Sequence, residues 1–495
     1  MVAPLNPRSN ARLVAGGDRG VRSALGTWLT PTAVAKAING ELVQRGRSGD
    51  GVTTDSRGDC TGKLFVALRG ENYDGHDHVA DAIRKGARGL IVSKPLHEIP
   101  GMDRSGPAFV VRVSDTSRAL LELGAEHRRR NRAKVIGITG SCGKTTTKEW
   151  LGEVLSTGMS TVRSPASFNN QVGVPLTLFS IRPETRAAVV EIGTNAPGEI
   201  GMLTAVARPD IGIVTCVAPA HLEGLGSIEG VAREKGELPM GLDESGIAIL
   251  NGDDPRCRAM QGNTRARVKF IAIDQQADWF ATDLVHHAFG TTFKLQGTRP
   301  VTVPGVGTHS VYNSLFVIAA ATELGMSEDA VLQALANVAP AARRLEPKYK
   351  AGVTVLDDTY NMNPASAHAG LQALVGMPGK GRRIVVFGEM RELGSDSYVL
   401  HQLLGHEVAR SSLDMFIAVG AAEPIAAGAI AAGMKPETVH RAACIEDALQ
   451  LLLNEVRPLD RILCKASRKV GLDLLVDRLL AELGGGAVAS NGGAR

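Results

Sequence analysis

Short apolar runs alternate with helical patterns through the middle of this chain of 495 residues. Near-continuous apolar runs without polar alternation are typical of parallel strands buried on both faces, and helices must then connect them. The pattern predicts an α/β domain with a doubly wound central sheet over residues 113–340. Its strand-like runs lie at 135–138, 187–191, 211–215 and 246–250, and its clearest helical segments at 147–155, 312–324 and 328–338.

Two further α/β domains are predicted on either side of the central one. The smaller, over residues 26–112, begins with a helix that carries Val34 and Ile38, and Thr32 is its expected N-cap. Its short strand-like runs lie at 51–57, 63–68 and 89–93. The other domain, over 341–483, is predicted to be Rossmann-like, with strand-like runs at 353–357, 383–387, 414–419 and 461–464.

Composition narrows the class of protein. Residues 1–25 and the glycine-rich residues 484–495 lack periodicity, and we expect both to be disordered. No apolar run approaches the roughly 20 residues that a membrane helix needs. The net charge is only +4 and aromatic residues make up 4% of the chain, so we expect no membrane insertion and no nucleic-acid partner. Six dispersed cysteines fit reduced thiols in a cytoplasm, and we expect Cys142 to be the exposed one. We expect a monomer.

The strongest local signal is Lys134-Val-Ile-Gly-Ile-Thr-Gly-Ser-Cys-Gly-Lys-Thr-Thr-Thr147, which combines a strand, a glycine loop and a helix start. Such a loop wraps phosphate oxygens with backbone N–H groups at a helix N-terminus. Lys144 is placed to reach the β and γ phosphates, and the Thr145 hydroxyl to bind Mg²⁺. The strict motif has glycine five residues before Gly143, where this chain has Ile138.

Other polar residues lie where predicted strands end. Glu191 ends an apolar run, and a carboxylate there points into the ligand crevice of a parallel sheet. From position alone His221 is as readily a structural histidine as a ligand, and Lys235 is a solvated helix residue. Asn313 fits either an adenine contact or a helix N-terminus.

Two polar segments need separate interpretations. The segment Asp357-Asp-Thr-Tyr-Asn-Met-Asn-Pro364 follows a predicted strand and forms a polar site more readily than a core. Residues 70–78, with two histidines and two aspartates, are better explained as a polar loop than as a metal site.

Taken together, these segments resemble the Mur ligase family of cell-wall enzymes from about residue 29 to residue 483. Ser167-Phe-Asn-Asn170 and Asp357-Asp-Thr-Tyr-Asn361 are the segments most similar to its D-alanyl-D-alanine-adding members. The remaining matching segments are 55–57, 64–76, 139–149, 191–200, 220–227, 235–237 and 388–394.

The resemblance implies an ATP-dependent amide ligase that adds D-Ala-D-Ala to UDP-MurNAc-tripeptide through an acyl phosphate, with two Mg²⁺ sites. The implied catalytic residues are Lys144, Lys235, His221 and Arg344. The implied metal ligands are Thr145, Glu191, His221 and Lys235, the last as a carbamate. The implied ATP contacts are Thr139, Gly140, Ser141, Cys142, Gly143, Lys144, Thr145, Thr146, Asn313, Arg344 and Asp358.

Substrate contacts are implied by the same resemblance. The UDP-sugar end would meet Asp55, Ser56, Arg57 and Asn72 in the first domain. The other implied substrate contacts are Asn169, Asn170, Asn361, Asn363, Lys465 and Ser467, the last four facing the dipeptide. Four positions depart from the family pattern: Arg343 stands where glycine is usual, Ala466 replaces a glycine, and Leu472-Asp473 replaces Met-Glu.

Three other functions fit parts of the pattern, one of them a non-enzymatic nucleotide-binding regulator, against which the complete set of Thr145, Glu191, His221 and Lys235 argues. A sister ligase of the same architecture, such as a folylpolyglutamate synthase, shares the phosphate loop, but the domain ahead of the loop argues against the folate enzyme. A phosphate-loop switch or motor would hydrolyse nucleotide without any UDP-sugar. The sequence does not specify whether the tripeptide ends in meso-diaminopimelate or lysine.

Overall fold

The computed structural model describes residues 28–102 and 108–485. The predicted extension over 1–25 and most of the predicted tail over 484–495 lie outside the described residues. Gly484 and Gly485, the first two residues of that tail, instead end the last helix. The chain divides into two compact units, one ending at Leu123 and the other beginning at Gly124. Among the described residues, no helix is long and apolar enough to cross a membrane.

The first unit contains a five-stranded sheet with strand order β1-β5-β4-β3-β2, in which only the β1–β5 pair is antiparallel. Its strands are β1 (Glu41–Gln44), β2 (Gly51–Thr53), β3 (Lys63–Val66), β4 (Gly89–Val92) and β5 (Phe109–Arg112). Its helices are α1 (Pro31–Ala37) and α2 (Val79–Arg84). The predicted N-cap of α1 was wrong by two residues. The Thr30 hydroxyl, not that of Thr32, accepts a hydrogen bond from the Ala33 N–H, and Pro31 occupies the first helical position.

The second unit begins with the nine-stranded central sheet. Its order is β14-β13-β12-β11-β10-β9-β6-β8-β7, parallel from β7 to β12 and closed at one edge by the antiparallel strands β13 and β14. The strands are β6 (Lys134–Thr139), β7 (Thr161–Arg163), β8 (Ala187–Glu191), β9 (Ile211–Val214), β10 (Ile247–Asn251), β11 (Arg267–Ile273), β12 (Trp279–His287), β13 (Gly290–Leu295) and β14 (Arg299–Val303). The predicted β6, β8, β9 and β10 are confirmed.

The helices of this part cover both faces of the sheet, as the doubly wound prediction required. Helix α3 (Thr116–Arg130) spans the boundary between the two units, and the helices that lie wholly in the second are α4 (Lys144–Ser156), α5 (Gly173–Leu178), α6 (Glu199–Ala207), α7 (Leu222–Leu225), α8 (Ile228–Met240), α9 (Pro255–Ala259), α10 (Thr308–Glu323) and α11 (Glu328–Leu335). On one face Trp150 of α4 and Phe316 of α10 pack with Ile136 and Val189 of the sheet. On the other, Val231 of α8 packs against β9 and β10.

The third sheet follows in the same unit, with order β15-β16-β20-β17-β18-β19 and only β15 antiparallel. Its strands are β15 (Glu346–Lys350), β16 (Val353–Asp358), β17 (Arg383–Phe387), β18 (Met415–Val419), β19 (Val439–Ala442) and β20 (Arg461–Lys465). Its helices are α12 (Pro364–Gly376), α13 (Ser397–Arg410), α14 (Glu423–Ala431), α15 (Ile445–Glu455) and α16 (Leu472–Gly485). All four predicted strands are present, and separate apolar cores lie on the two faces.

Candidate active site

The phosphate loop connects β6 to α4, and two glycines set its shape. Gly140 has φ 145° and Gly143 has φ 82°, both in the region that side chains other than glycine avoid. The loop is attached to the end of β9, because the Ser141 N–H donates to the Cys216 carbonyl at 2.9 Å and the Thr215 hydroxyl donates to the Cys142 carbonyl. Lys144, the first residue of α4, turns back over the loop and donates to the Gly140 carbonyl at 2.5 Å.

We expect Gly140→Ala to disrupt this loop. A Cβ at position 140 would lie 1.8 Å from Thr215 Oγ1, next to the backbone that holds the loop, and φ would remain strained. Clash and strain together predict a loss of about 3 kcal/mol or more of stability and loss of ADP binding. Gly420→Ala is the matched control, since Gly420 also has positive φ (62°) but open space around it. Equal unfolding temperatures for the two variants would contradict the close approach.

A buried carboxylate lies beside the start of α4. Glu191, at the end of β8 and only 1% exposed, accepts hydrogen bonds from the Thr145 hydroxyl and from Asn169 Nδ2, each at 2.9 Å. Lys148 Nζ lies 3.7 Å from the same carboxylate, and Arg344 Nη2 donates to Thr145 Oγ1 at 2.8 Å. Hydroxyl and carboxylate oxygens side by side are the ligands that Mg²⁺ prefers, and the Lys148 ammonium lies beside the carboxylate. The donor set therefore fits a divalent cation.

Residues after β16 reach the phosphate loop from the third sheet. Asn363 Nδ2 donates to the Ser141 carbonyl at 3.3 Å, and the Tyr360 hydroxyl contacts that of Ser167. The Arg344 guanidinium stacks 4.0 Å above the Tyr360 ring, a cation–π contact that fixes its direction toward Thr145. Asp358, Tyr360, Asn361 and Asn363 of this segment line a cavity, whereas Met362 packs in an apolar core; the role of the segment as a site stays a prediction.

A buried ion pair lies at the carboxyl ends of β16 and β20. Lys465 Nζ donates to Asp358 Oδ2 at 2.6 Å and to the Asn361 carbonyl at 2.9 Å. Burial raises the pKa of Asp358, and the charges of Lys465 and Arg344 oppose that rise. The adjacent strands β16 and β20 pair Asp358 directly with Lys465, so the sheet register itself creates this contact.

The other two predicted metal ligands, His221 and Lys235, form no hydrogen bond or ion pair with Thr145 or Glu191 among the described residues. His221 Nδ1 lies 2.7 Å from Glu392 Oε2, and both residues have positive φ, 55° and 64°. The adjacent His221 side chain lowers the pKa of Glu392. Lys235, on α8, is 1% exposed, and burial together with the charge of Lys144 lowers its pKa to about 7. The expectation of a solvated lysine, drawn from its position alone, was wrong.

Most of the predicted site residues of the second unit line one cavity of about 290 Å³. The predicted residues that line it are Ser141, Cys142, Gly143, Lys144, Thr145, Thr146, Asn169, Asn170, Glu191, His221, Asn313, Arg344, Asp358, Asn361, Asn363 and Lys465. Four predicted residues of the second unit do not line it: Thr139, Gly140, Lys235 and Ser467. Ser467 instead accepts the Arg391 N–H at 2.9 Å.

Sequence reasoning missed several residues of the cavity wall, namely Ser167, Thr194, Glu199, His309, Tyr360, Arg391 and Glu392 as individual site residues. Burial lowers the pKa of His309 to about 4, so this imidazole is neutral near pH 7. Gly305 and Gly307, just before α10, mark a turn into the site, and they are the one sequence signal that indicates His309. Asn313 lies against the loop, and its Oδ1 accepts a hydrogen bond from the Thr147 hydroxyl at 3.1 Å. Its contact with adenine stays a prediction.

The first unit holds the four residues predicted for the UDP-sugar. Arg57 and Asp55 form a two-point ion pair with both N···O distances at 2.8 Å, and this hydrogen bonding lowers the pKa of Asp55. Lys85 Nζ holds the loop by donating to the Ser56 and Arg57 carbonyls at 2.7 and 2.8 Å. Asn72 is exposed. Their role in UDP-sugar binding stays a prediction.

The segment 70–78 is a polar loop, as the sequence indicated. His76 is fully buried, with Nδ1 2.5 Å from Asp74 Oδ1 and Nε2 accepting the Ser93 N–H at 2.9 Å. Both ring nitrogens are therefore occupied by structural contacts. In the described part of the chain, no group of three or more His, Cys, Asp or Glu side chains is arranged to hold a metal.

Two of the departures from the family pattern meet in the structure. Arg343, with φ 59°, forms an ion pair with Asp473 and a second with Asp477 at 3.0 Å. The side chain that replaces a glycine thus gains partners on α16, one of which is itself a departure. Arg343 is the neighbour in sequence of Arg344, which donates to Thr145 Oγ1 at 2.8 Å.

Comparison with known proteins decides the family. Three family models match successive parts of the chain: the Mur ligase family catalytic domain over 50–128, the Mur ligase middle domain over 138–321, and the Mur ligase glutamate ligase domain over 343–468. The chain belongs to the Mur ligase family. Among curated relatives, the UDP-N-acetylmuramoyl-tripeptide–D-alanyl-D-alanine ligase of Escherichia coli (strain K12) is 37% identical, over 92% of this chain and 99% of that protein.

Solved Mur ligases share the architecture. A crystal structure of MurF from Acinetobacter baumannii superimposes with a TM-score of 0.83 at 31% identity, covering 91% of this chain and 98% of that one. The MurF ligase of Thermotoga maritima, solved in complex with ADP, gives a TM-score of 0.77 at 27% identity over 87% and 97% of the two chains. The predicted fold class is confirmed.

Proposed function

We propose that this Mur ligase is an ATP-dependent, ADP-forming amide ligase that adds D-Ala-D-Ala to UDP-MurNAc-tripeptide. The observation that carries the proposal is the cavity, in which the phosphate loop faces Asp358, Asn361, Asn363 and Lys465 from the third sheet. A nucleotide-only switch needs the loop but not this second wall. The names of the E. coli relative and of the solved MurF ligases support the same reaction.

The chemistry begins with a carboxylate that does not react with an amine at neutral pH, because oxide is a poor leaving group. In the proposed reaction a tripeptide carboxylate oxygen attacks the γ-phosphorus of ATP, the bond to the β-phosphate oxygen breaks, and ADP leaves. The dipeptide amine then attacks the acyl carbon and phosphate departs. Lys144 and Arg344 supply positive charge where the phosphoryl oxygens gain negative charge.

Water must be excluded, since an acyl phosphate hydrolyses readily. Contacts of Arg344 with Thr145, Tyr360 with Ser167, and Asn363 with the Ser141 carbonyl already bring the third sheet onto the loop. These residues orient the nucleotide and close the cavity around the reacting carboxylate.

Thr145 and Glu191 would hold Mg²⁺, and we propose His221 and a carbamylated Lys235 as further ligands. The ion would supply charge neutralisation between the anionic phosphates and the carboxylate. Lys235 fits carbamate formation because only a neutral amine attacks CO₂. A pKa of about 7 leaves about half of the amine neutral near pH 7, whereas an ordinary lysine is almost wholly charged.

We expect Lys235→Ala to impair turnover, with partial recovery when short carboxylates are added. In the unmodified protein at limiting bicarbonate, turnover should rise from about pH 6 to about pH 8, because deprotonation of Lys235 must precede carbamylation. Arg233→Ala is the matched control, since Arg233 lies on the same helix but is exposed. No recovery at any carboxylate concentration would count against the carbamate.

The deciding experiment measures phosphate release from ATP with Mg²⁺, adding UDP-MurNAc-tripeptide and D-Ala-D-Ala singly and together. We expect release only with both, and a product heavier by the dipeptide less water. Release indifferent to both would instead indicate a nucleotide-driven switch. Release with another acceptor and amino acid would indicate a sister ligase. Cytoplasmic location and the monomeric state stay predictions.

A further inference from the structure

Two cysteines meet where the phosphate loop is attached to the central sheet. Cys142 lies in the loop, and Cys216 lies two residues beyond the end of β9. The 2.9 Å hydrogen bond from the Ser141 N–H to the Cys216 carbonyl holds the two segments side by side. Cys216 Sγ lies 3.8 Å from the Cys142 carbonyl oxygen and donates a hydrogen bond to it. Both are free thiols.

Cys142 faces the cavity, so a small solute can reach it. Its Sγ lies 3.4 Å from Asn363 Oδ1, and Lys144 and Lys465 contribute nearby positive charge. The neighbouring Cys216 side chain, together with these cations, lowers the pKa of the Cys142 thiol, and the Cys142 side chain raises the pKa of Cys216. A thiolate beside a protonated thiol is the arrangement of an attacking and a resolving cysteine.

The other cysteines lack this arrangement. Cys60, Cys257 and Cys464 are fully buried, and burial raises the pKa of each thiol. Cys444 is exposed, which corrects the expectation that Cys142 is the exposed thiol. It therefore serves as an internal standard for a reactive but unpaired surface cysteine.

We propose that Cys142 and Cys216 form a peroxide-sensitive thiol pair whose disulfide switches off the phosphate loop. The oxidant is a hydroperoxide. The Cys142 thiolate attacks the terminal peroxide oxygen, the O–O bond breaks, and hydroxide or alkoxide leaves, giving a sulfenic acid. Cys216 sulfur then attacks the Cys142 sulfur, the S–O bond breaks, and water departs with the Cys216 proton. Two thiols are oxidised and one peroxide is reduced.

The disulfide acts on the loop through geometry. It draws Cys142 Sγ away from Asn363 and adds a covalent link beside the Ser141 and Thr215 hydrogen bonds that already attach the loop to the end of β9. The loop then cannot adjust around phosphate oxygens. Bound nucleotide, conversely, covers Cys142 and slows its oxidation.

The test treats the full-length protein with hydrogen peroxide, blocks remaining thiols with an alkylating reagent and identifies the products by peptide mass spectrometry. We expect a cross-linked peptide pair containing positions 142 and 216, lighter by two hydrogens and removed by dithiothreitol. It should form at least about tenfold faster than Cys444 is oxidised, and saturating ADP should slow it. ADP binding and ligase turnover should fall and recover with the cross-link.

Two variants keep the result interpretable. In Cys216→Ala we expect no cross-link and, after peroxide, an inactivation that dithiothreitol no longer fully reverses, because Cys142 proceeds to sulfinic acid. Cys444→Ser should behave as the unmodified chain. Oxidation of Cys142 without any cross-link, or equal recovery of Cys216→Ala and the unmodified chain, would overturn the proposal. The cross-link and ADP readouts stand even if the ligase reaction is not the function.

Discussion

Lys144→Ala should reduce kcat/KM for ligation by at least about a thousandfold, equivalent to about 4 kcal/mol of transition-state stabilisation. Lys144 is the cation at the tip of the phosphate loop, and its ammonium now rests on the Gly140 carbonyl, 2.5 Å away. In the transition state of phosphoryl transfer, the peripheral oxygens of the γ-phosphoryl group carry more negative charge than they do in bound ATP. The lost interaction is therefore stronger in the transition state than in the bound substrate.

The folded state should tolerate this change, because the Gly140 carbonyl is the only hydrogen-bond partner of Lys144 Nζ in residues 28–102 and 108–485. We expect the unfolding temperature to stay close to that of the unmodified protein. Lys134→Ala is the matched control. Lys134 begins β6, the strand that leads into the phosphate loop, but its side chain is 61% exposed and pairs with Asp210. Its loss should therefore change turnover less than about twofold. Near-normal ligation by Lys144→Ala would refute the phosphate-loop assignment.

Lys465→Met should remove both stability and activity. It leaves Asp358, which is 8% exposed, without the ammonium that lies 2.6 Å away. Stranding one member of a buried ion pair costs about 3–5 kcal/mol, so a large fall in unfolding temperature is expected. Ligation should also be lost, because Lys465 lines the cavity and fixes the Asn361 carbonyl.

A double variant separates the two effects. Lys465→Met with Asp358→Asn removes both charges, so most of the stability should return, whereas ligation should not. Lys348→Met is the control, because it removes the ion-pair partner of Asp357, which lies next to Asp358 on β16. The Asp357 carboxylate still accepts hydrogen bonds from the Thr359 hydroxyl and N–H. It should lower stability while leaving turnover per folded molecule unchanged. Recovery of ligation in the double variant would show that the pair acts only through folding.

Hydrophobic pattern predicted most of the strands that are buried on both faces and missed most of those that are not, with β5 and β2 as exceptions. β8 and β18 consist of buried residues throughout, so their sequences are continuous apolar runs. The second half of β12 alternates half-buried and exposed positions and contains Asp283 and two histidines, and the sequence of β15 is Glu-Pro-Lys-Tyr-Lys. Such edge or one-sided strands are specified by pairing with a neighbour rather than by their own composition.

The site divides in the same way. The sequence by itself determined the phosphate loop, because strand, glycines, Lys144 and helix are contiguous, and their local conformation follows from residues within one short segment. It also indicated Glu191 as a strand-end carboxylate. Only the tertiary structure decided that Lys235 is buried with a lowered pKa, that Asp358 pairs with Lys465, and that Cys142 meets Cys216. Burial, strand register and loop packing join residues far apart in the chain, and no local pattern encodes those distances.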